Sequence, residues 1–370
     1  GDVLLNFEPA EVRFDSPGLT GLGCLATPEQ ASKHGVYCAH QTGNVREFYQ
    51  KPSPAEQFEK GAANDYGETI LDIGVMSFDA ETALTLLETF GIAPGEDGKL
   101  TWASEMGQAI MDRGLDFYRE VCCAMGDRVT TQEHFASAKA SGSTWERALL
   151  ARVFEGLRNV PFSVQVLPRC EFLHFGTTRQ MIVSGLELLR MDRGVSQLQT
   201  CLSINNLSLG DGRITGKKAW VEGCRIASEL SLDDDNVVVG VEVNTPVSLP
   251  LGACLDVIQG RNRAGQEVLF VRCYGIDDRF KDPVHHGATL CNVQAEEWLD
   301  AAGLTPEDVW DADVSPEDRT VFNARLFPAV TDKTEYQKWL WLFHPDQASE
   351  AQKSRLRSAD RYSLAEISLL

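Results

Sequence analysis

The sequence lacks the features that would mark a membrane protein or a nucleic-acid-binding protein. No apolar stretch approaches the roughly 20 residues that a helix needs to cross a bilayer. Basic residues are scarce, because 34 Lys and Arg face 54 Asp and Glu, which gives a formal net charge of −20. A surface of that sign repels phosphate backbones and anionic lipids. We therefore expect neither nucleic acid nor a membrane as a partner.

The ten cysteines include no Cys-x-x-Cys pair, and their spacing is irregular. Cys122 and Cys123 are adjacent, which is poor geometry for a structural disulfide. In a chain of this length such cysteines indicate free thiols in a reducing compartment, so we expect a cytoplasmic protein. The pair His285 and His286 has no second ligand motif nearby, and we interpret it as a surface loop rather than a zinc site.

The length of 370 residues, with 43% hydrophobic residues, is enough for two or three domains. Residues 1–95 alternate short strand-like runs such as VREFYQ and ILDIGVMSF with turns, and end in the helical pattern AETALTLLETF; this predicts the C-terminal part of an α/β layer. We predict a helical insertion over 96–160 and a junction that returns to the α/β core over 161–195. The apolar residues of ERALLARVFEGL recur at helical spacing and are predicted core residues: Leu149, Leu150, Val153, Phe154 and Leu157.

Between residues 196 and 290 bulky apolar residues recur at almost every sixth position. The series is Leu202, Ser208, Ile214, Trp220, Ile226, Leu232 and Val238. A six-residue repeat is typical of a parallel β-helix, although an antiparallel sheet can produce one irregular series by chance. Residues 291–370 look helical and loop-rich. We expect their tryptophans to pack against the β-helix: Trp298, Trp310, Trp339 and Trp341.

The stretch PGLTGLGCLA has the Pro-x-x-x-Gly-Leu-Gly skeleton of a phosphate loop. Such a loop binds phosphate through backbone N–H groups, helped by hydroxyl groups. Cys24 and Leu25 stand at the hydroxyl positions, and Pro28 follows closely. We therefore interpret this stretch as a turn.

Four short motifs follow one another in order within the first 80 residues. Asp2 is predicted to end the first strand, and HGVY follows a proline-containing loop. The segment GNVREFYQKP places a hairpin turn and a strand before Lys51, and LDIGVMSFD then places Asp72 shortly before a glycine. This order resembles the sugar-nucleotide pyrophosphorylases, whose pattern runs strand-Asp, Tyr-Gly-Val, Glu-Lys-Pro and Asn-x-Gly-Ile.

In that chemistry a sugar 1-phosphate oxygen attacks the α-phosphorus of a nucleoside triphosphate, and two anions must be held together by Mg²⁺ and cationic side chains. The resemblance implies catalytic roles for Asp2, as the Mg²⁺ ligand, and for Lys51, which would pair with the sugar phosphate before the rigid Pro52. Asp72 would accept hydrogen bonds from sugar hydroxyls. The alternatives are a capping aspartate, a solvated lysine and a strand-end aspartate in a tight turn. The same motifs supply three further substrate-binding candidates: His34, Gly35 and Gly74.

The segment EFLHFGTTRQMIVSGLELL lies between the α/β part and the six-residue repeat. Pyrophosphorylases with β-helix tails have a similar join, aromatic-x-Asp-Ile-Gly-Thr-Pro, whose aspartate is a second metal ligand. His174 stands at that position, where it would bind phosphate or a softer metal, or else donate to a backbone carbonyl. Thr177, Thr178 and Arg179 either line the pocket or brace the domain junction. We interpret Arg325 as the structural partner of a carboxylate rather than as an anion contact.

Taken together with FLHFGTT, three later motifs resemble one family: CYGIDDRFK, EEWLDAAGL and RTVFNARLFP. It is fucose-1-phosphate guanylyltransferase, also called GDP-L-fucose pyrophosphorylase, including the pyrophosphorylase part of bifunctional L-fucokinase enzymes. GDVLL, HGVY, QKPS and LDIGVMSF fit the same family, so the resemblance covers nearly the whole chain. It implies a nucleotidyltransferase with GTP and L-fucose 1-phosphate as ligands, Mg²⁺ as cofactor, and GDP-L-fucose and pyrophosphate as products.

The resemblance also implies a fold class. It is an α/β nucleotide-sugar transferase (Rossmann-like) layer, N-terminally incomplete, followed by a parallel left-handed β-helix over 196–290 and a helical C-terminal segment over 291–370. A family member should begin with a strand and a glycine-rich basic loop for the triphosphate, whereas this chain opens GDVLLNFEPAE. We therefore expect the interior of a larger enzyme, with the guanine-reading residues upstream of residue 1.

Two other hypotheses stay open. The chain could be a non-catalytic β-helix scaffold that mediates assembly, and such a scaffold would have no use for Asp2 or Lys51. The same fold could also serve another sugar 1-phosphate, since only the family resemblance specifies L-fucose. A homo-oligomer formed through the β-helix is compatible with each hypothesis.

Overall fold

The computed structural model describes residues 2–95, 98–101, 104–193 and 201–369, with no description of the side chains at positions 93, 94, 192 and 193. The chain divides into two compact units. One, called the sheet unit below, is Leu5–Phe172, and the other, called the solenoid unit, combines Gly1–Leu4 with Leu173–Leu370. Among the described residues, no helix is both long and apolar enough to span a membrane.

Short strands and helices alternate in the first half of the chain. The strands are β1 (Val3–Phe7), β2 (Leu19–Ala26), β3 (Gly35–Ala39), β4 (Val45–Gln50), β5 (Thr69–Phe78), β6 (Ala93–Pro94), β7 (Leu100–Thr101), β8 (Phe162–Leu167) and β9 (Cys170–His174). The helices are α1 (Pro28–Ala31), α2 (Pro54–Glu59), α3 (Ala80–Thr89), α4 (Glu105–Arg113), α5 (Thr131–Ala140) and α6 (Arg147–Leu157), with a π-helical turn at Phe117–Val121 and a 3-10 turn at Cys122–Ala124. The strands predicted from VREFYQ and ILDIGVMSF and the helices predicted from AETALTLLETF and ERALLARVFEGL are confirmed.

Five of these strands form one sheet in the order β4-β3-β5-β2-β8. β2 and β8 run parallel, whereas β4 with β3, β3 with β5 and β5 with β2 are antiparallel. A Rossmann-like layer requires parallel strands linked by helical crossovers. The predicted Rossmann-like layer is therefore not confirmed, because a short turn joins β3 to β4 as a hairpin.

Apolar side chains build a core on each face of this sheet. Tyr37 and Phe48 belong to the face that packs against the buried residues of α4, the π-helical turn and α6. Val36 and Leu71 belong to the opposite face. The core residues predicted in α6 are all buried, which confirms them: Leu149, Leu150, Val153, Phe154 and Leu157.

The stretch PGLTGLGCLA is not a turn, so that interpretation is wrong. Its residues 19–26 form the strand β2, which lies inside the sheet between β5 and β8. Close packing explains the glycine at position 21, because a Cβ on Gly21 would lie 2.1 Å from the hydroxyl oxygen of Tyr37. Glycine inside a strand often marks such a close approach.

The solenoid unit begins with the helix α7 and continues in short strands. They are α7 (Thr178–Arg193), β10 (Cys201–Ile204), β11 (Leu207–Ser208), β12 (Arg213–Thr215), β13 (Ala219–Glu222), β14 (Arg225–Ile226), β15 (Glu229–Leu232), β16 (Asn236–Val239), β17 (Glu242–Val243) and β18 (Val247–Leu249). Every third strand pairs in parallel, which gives the sheets β10-β13-β16, β11-β14-β17 and β12-β15-β18. This is a β-solenoid of about three turns. The predicted parallel β-helix is thereby confirmed, and its left-handedness stays a prediction.

The six-residue series falls on successive strands from β10 to β16, one residue on each. Ile226, Leu232 and Val238 are buried inside the coils, as the repeat predicts, whereas Ser208 is exposed. Trp220 is half-buried between the buried neighbours Ala219 and Val221. Its ring lies against α7, since a Cβ on Gly185 would approach it to 2.7 Å.

After the coils the chain forms the antiparallel pair β19 (Ala253–Arg261) and β20 (Glu267–Gly275). The later elements are β21 (Thr289–Leu290), β22 (Val293–Gln294), α8 (Ala295–Ala302), α9 (Pro306–Val309), β23 (Phe327–Val330), α10 (Glu350–Ser358), β24 (Arg361–Tyr362) and α11 (Leu364–Ile367). β23 and β24 extend the solenoid sheet to the order β10-β13-β16-β19-β20-β23-β24. The predicted helical C-terminal segment is not confirmed, because strands and 3-10 turns accompany its short helices. The predicted tryptophan packing is confirmed, since all four contribute to the solenoid core: Trp298, Trp310, Trp339 and Trp341.

Two predictions about reactive side chains are also confirmed. All ten cysteines are free. His285 and His286 are exposed in a 3-10 turn, where His285 lies 2.9 Å from Glu317.

Two alanine substitutions within the six-residue series test how the coils are held together. Ile226→Ala should lower the free energy of unfolding by about 2–5 kcal/mol, because it leaves a cavity at a buried position. Ser208→Ala is the matched control, since its side chain is exposed and should change stability by less than about 0.5 kcal/mol. Denaturant unfolding of the two variants checks this, and equal effects would contradict the described inside and outside of the coils.

Candidate functional site

Three neighbouring strands bring the site residues of the first motifs together at one end of the sheet. Gly35 on β3 pairs with Gln50 on β4, and the next residue, Val36, pairs with Leu71 on β5. Asp72 therefore lies beside Gly35, and a Cβ on Gly35 would come within 3.1 Å of the Cβ of Asp72. We call the set His34, Gly35, Lys51, Asp72 and Gly74 the sheet corner.

Lys51 leaves the end of β4 with an unusual backbone. Its φ of 51° lies in the left-handed region, which costs a residue with a side chain roughly 1–2 kcal/mol. Its N–H donates to the carbonyl oxygen of His34 at 3.0 Å, and the buried Pro52 follows. The side chain is exposed, and within the described ranges no carboxylate forms an ion pair with its ammonium group. Strained backbone conformations of this kind cluster at functional sites.

A cleft of about 1060 Å³ runs along the edge strand β4. Phe48, Gln50 and Lys51 line one side, and Arg119 and Ser137 line the other. Asp72 is not part of this lining and lies on β5, with one strand between it and β4. Phe48 belongs to both regions, because it lines the cleft and its ring also covers Gly35 beside Asp72. A Cβ on Gly35 would lie 2.3 Å from the Phe48 Cζ.

Asp72 is a buried carboxylate that is 5% exposed. The hydroxyl of Tyr37 donates to its Oδ1 at 2.8 Å, and the N–H of Gly74 donates to the same oxygen at 3.3 Å. Burial raises the pKa of Asp72 to about 6, although both hydrogen bonds act in the opposite direction. The second hydrogen bond depends on Gly74, whose φ of 78° favours glycine.

Asp2 lies in the solenoid unit, next to His174. It precedes β1 rather than ending it, so the predicted position at a strand end is wrong; the apolar residues that form the strand all follow it. Its backbone oxygen accepts from the N–H of Phe175 at 2.7 Å, and its Oδ2 lies 3.2 Å from His174 Nε2. Gly176 keeps this place open, because a Cβ there would lie 2.6 Å from the His174 ring and 2.8 Å from Asp2 Oδ2.

The negative charge of the Asp2 carboxylate is suited to binding a metal cation. A hydrogen bond from its own backbone, together with the nearby His174, lowers its pKa, and its side chain is 62% exposed. In the part of the chain that the structure describes, no group of three or more His, Cys, Asp or Glu side chains could hold a metal ion. Mg²⁺ keeps several waters and takes one or two carboxylates together with substrate phosphates. One exposed carboxylate beside an open glycine fits that mode of binding.

Thr177, Thr178 and Arg179 begin the helix α7. Thr177 Oγ1 accepts from the N–H of Gln180 at 3.2 Å, which caps the helix. Arg179 donates two hydrogen bonds of 2.7 Å to Asp277, and a third of 2.7 Å to Asp235. Arg179 therefore braces α7 against the solenoid instead of facing an open pocket.

The structural interpretation of Arg325 is confirmed. Its guanidinium donates to both carboxylate oxygens of Asp311, at 2.6 and 2.8 Å, and to Glu366 at 3.1 Å. These two carboxylates use the donors that an anionic ligand would need.

The sequence analysis did not select Tyr37 or Gly21 as site residues. A signal existed in the two-residue period of β3, which places Tyr37 on the same face as Gly35. The partner that gives Tyr37 a role, Asp72, lies 35 positions away, and its closeness follows only from the strand order.

Comparison with known proteins gives a consistent result. A family model described as the fucose pyrophosphorylase domain matches residues 1–332. The chain is 23% identical over 397 residues to a bifunctional fucokinase/GDP-fucose pyrophosphorylase of Arabidopsis thaliana, covering 99% of this chain and 36% of that protein. It is 22% identical over 383 residues to an L-fucokinase/L-fucose-1-P guanylyltransferase of Bacteroides fragilis, covering 100% of this chain and 35% of that protein.

A third relative is a fucose-1-phosphate guanylyltransferase of Mus musculus, which is 18% identical over 398 residues, with 97% of this chain and 65% of that protein covered. The chain thus spans about a third of the two bifunctional relatives and about two thirds of the mouse protein.

The buried carboxylate of Asp72 should make stability depend on pH in an identifiable way. Its pKa is about 6 in the folded state against an ordinary value of 3.8. Between these values the folded state holds a proton that the unfolded state has released, so the free energy of unfolding falls as pH rises. Asp72→Asn should remove that fall, of about 3 kcal/mol in total. Urea unfolding at pH 4 and pH 7 checks the difference between wild type and variant.

Asp79→Asn is the matched control for this measurement. Asp79 caps α3 and binds the N–H groups of Gly18 and Thr82, which lowers its pKa. Its stabilisation is therefore lost as pH falls, so this variant should change the pH dependence in the opposite sense. A pH dependence that stays the same in Asp72→Asn would contradict the described burial of the carboxylate.

Proposed function

Because the chain belongs to the fucose pyrophosphorylase family, we propose that it is the guanylyltransferase region of a GDP-L-fucose pyrophosphorylase. The reaction transfers a guanylyl group from GTP to L-fucose 1-phosphate. An oxygen of the sugar phosphate forms a bond to the α-phosphorus of GTP, the bond from that phosphorus to the β-phosphate oxygen breaks, and pyrophosphate leaves. GDP-L-fucose is the product. The names of the three relatives support this choice of substrates.

The observation that carries the proposal is that the sheet corner contains two different groups, a cation and a carboxylate. Lys51 offers an exposed, unpaired cation on a fixed backbone. Asp72, on β5, offers a carboxylate that is buried except for a small part of its surface. A sugar 1-phosphate carries an anion at one end and hydroxyl donors at the other, so its chemistry matches both groups.

In this proposal Lys51 pairs with the phosphate and Asp72 accepts a hydrogen bond from a sugar hydroxyl. The attacking phosphate oxygen is already an anion, so no general base is required. The contribution of these residues is to hold and orient the nucleophile against the repulsion of the triphosphate. The backbone of His34 fixes Lys51, and Gly35 allows Asp72 and Phe48 to approach the same strand.

We assign the Mg²⁺ site to Asp2 in the solenoid unit. A Mg²⁺ ion bound there would neutralise charge on a phosphate group. His174 lies beside the same carboxylate and would contact phosphate as its partner, and Thr177 and Thr178 would present the start of α7 to an anion. The residue at position 176 must stay small for this arrangement, because a Cβ there would fill the space beside Asp2.

Calorimetric titration of L-fucose 1-phosphate with Mg²⁺ into the chain tests the role of Lys51. Lys51→Ala should weaken binding about 10- to 100-fold, which corresponds to the loss of a charge-assisted contact. Lys33→Ala is the control, because Lys33 is exposed and lies outside the cleft. Both variants should unfold at the temperature of the wild type, since both side chains are exposed.

The outcomes separate the three hypotheses. Binding that Lys51→Ala weakens and Lys33→Ala leaves unchanged supports the sugar-phosphate site. Equal binding of D-glucose 1-phosphate would support a pyrophosphorylase for another sugar. Absence of binding in the wild type, or equal binding by wild type and Lys51→Ala, would favour a scaffold over the proposed enzyme.

A further inference from the structure

We propose that Tyr37 is a positioning residue for the reaction: it fixes one oxygen of Asp72 so that the other oxygen is presented to the sugar. The inference rests on the proposed function of the sheet corner. It gives a role to Tyr37, the last residue of HGVY, for which the family resemblance implies none.

The two oxygens of Asp72 have different surroundings. Oδ1 accepts both hydrogen bonds, from the Tyr37 hydroxyl at 2.8 Å and from the Gly74 N–H at 3.3 Å. Within the described ranges no donor reaches Oδ2, although the residue as a whole is 95% buried. Oδ2 is not among the described buried side-chain atoms that lack a partner, so it keeps part of the small exposed surface of Asp72, where a ligand hydroxyl can donate to it.

The Tyr37 ring has little freedom to move. It is 0% exposed and meets Phe48 and Phe162 edge-on, with ring centroids at 5.1 and 5.8 Å. Its hydroxyl occupies the space that a side chain on Gly21 would fill. The hydroxyl is therefore held at one place on the sheet face, and the carboxylate that binds it is held with it.

The same hydrogen bond controls the charge of Asp72. The titratable groups that act on Asp72 from the surrounding elements are Tyr37 on β3, Cys24 on β2, and Tyr118 and Cys122 in the helical turns. Burial raises the pKa of Tyr37, Tyr118 and Cys122, and the contact with Cys170 together with burial raises that of Cys24, so all four are neutral near pH 7. Among the residues that the structure describes, no cation contributes to the pKa shift of Asp72. The Tyr37 hydroxyl is thus the main group that favours the ionised carboxylate, and its loss should shift the titration of Asp72 to higher pH.

Tyr37→Phe tests the inference with two measurements on the whole chain. The first follows the carboxyl carbon of Asp72 by NMR in the ligand-free protein, with Asp72→Asn to identify the signal. The second follows binding of L-fucose 1-phosphate with Mg²⁺ between pH 5.5 and pH 8. We expect the Asp72 titration to move upward in Tyr37→Phe, with about tenfold weaker binding at pH 7 and an acid limb displaced to higher pH.

Tyr274→Phe is the matched control. Tyr274 is also buried, and its hydroxyl donates to the buried Asp256 at 3.0 Å in the solenoid unit. The substitution Tyr274→Phe removes a hydroxyl from another buried Tyr–Asp pair and leaves Asp72 unchanged. This variant should keep both the Asp72 titration and the pH profile of binding.

A double variant distinguishes positioning from a general effect on the fold. In the Asp72→Asn background, Tyr37→Phe should change binding little, because the carboxylate that it positions is gone. An unchanged Asp72 titration in Tyr37→Phe would overturn the inference, as would equal further weakening in the Asp72→Asn background. If the titration moves but the wild type binds no sugar phosphate at any pH, the proposed function fails and the positioning role fails with it.

Discussion

The buried carboxylate of Asp72 constrains the sheet unit, because protein groups rather than bulk water supply its hydrogen bonds. Asp72 lies on the packed face of the central sheet, and only Tyr37 and Gly74 donate to it within the described residues. The hydrogen bond from Tyr37 restricts which residues can lie around it. Gly21 must leave room for the hydroxyl, and Gly35 must allow the neighbouring strand to approach. Gly21 thus follows from one polar contact, whereas Gly35 is required by the ring of Phe48.

Charge provides the second constraint. The chain has a net charge of −20, so it would repel the two anions that the proposed reaction brings together. Many of its cations are held in ion pairs, as Arg179 is by Asp277 and Arg325 by Asp311. Lys51 is different, since its ammonium is exposed and unpaired within the described ranges. Local positive charge, rather than the charge of the whole chain, would then attract the sugar phosphate.

Local periodicity made part of the fold predictable from the sequence. The helix α6 and the solenoid strands follow from apolar residues that recur at fixed spacing, and each residue of the six-residue series lies on its own strand. The hairpin of β3 and β4 could be predicted from its turn, whereas the antiparallel pairing of β5 with β3 and β2 could not, because it joins residues distant in sequence. PGLTGLGCLA looked like a turn because the packing that requires its glycines comes from residues outside the stretch: Pro161 at Gly18, Tyr37 at Gly21 and Ile70 at Gly23. Lys51 and Asp72 could be selected from their motifs. The ion pairs of Arg179 could not be predicted, because its partner carboxylates lie 56 and 98 positions away.

The most direct test of the account is a crystal structure of the chain with L-fucose 1-phosphate and Mg²⁺. The account predicts that the phosphate lies within ion-pair distance of Lys51 Nζ and that a sugar hydroxyl donates to Asp72 Oδ2, with the Tyr37 hydroxyl still on Oδ1. A sugar phosphate bound elsewhere on the chain, or one bound at Lys51 with Oδ2 of Asp72 still unoccupied, would contradict it.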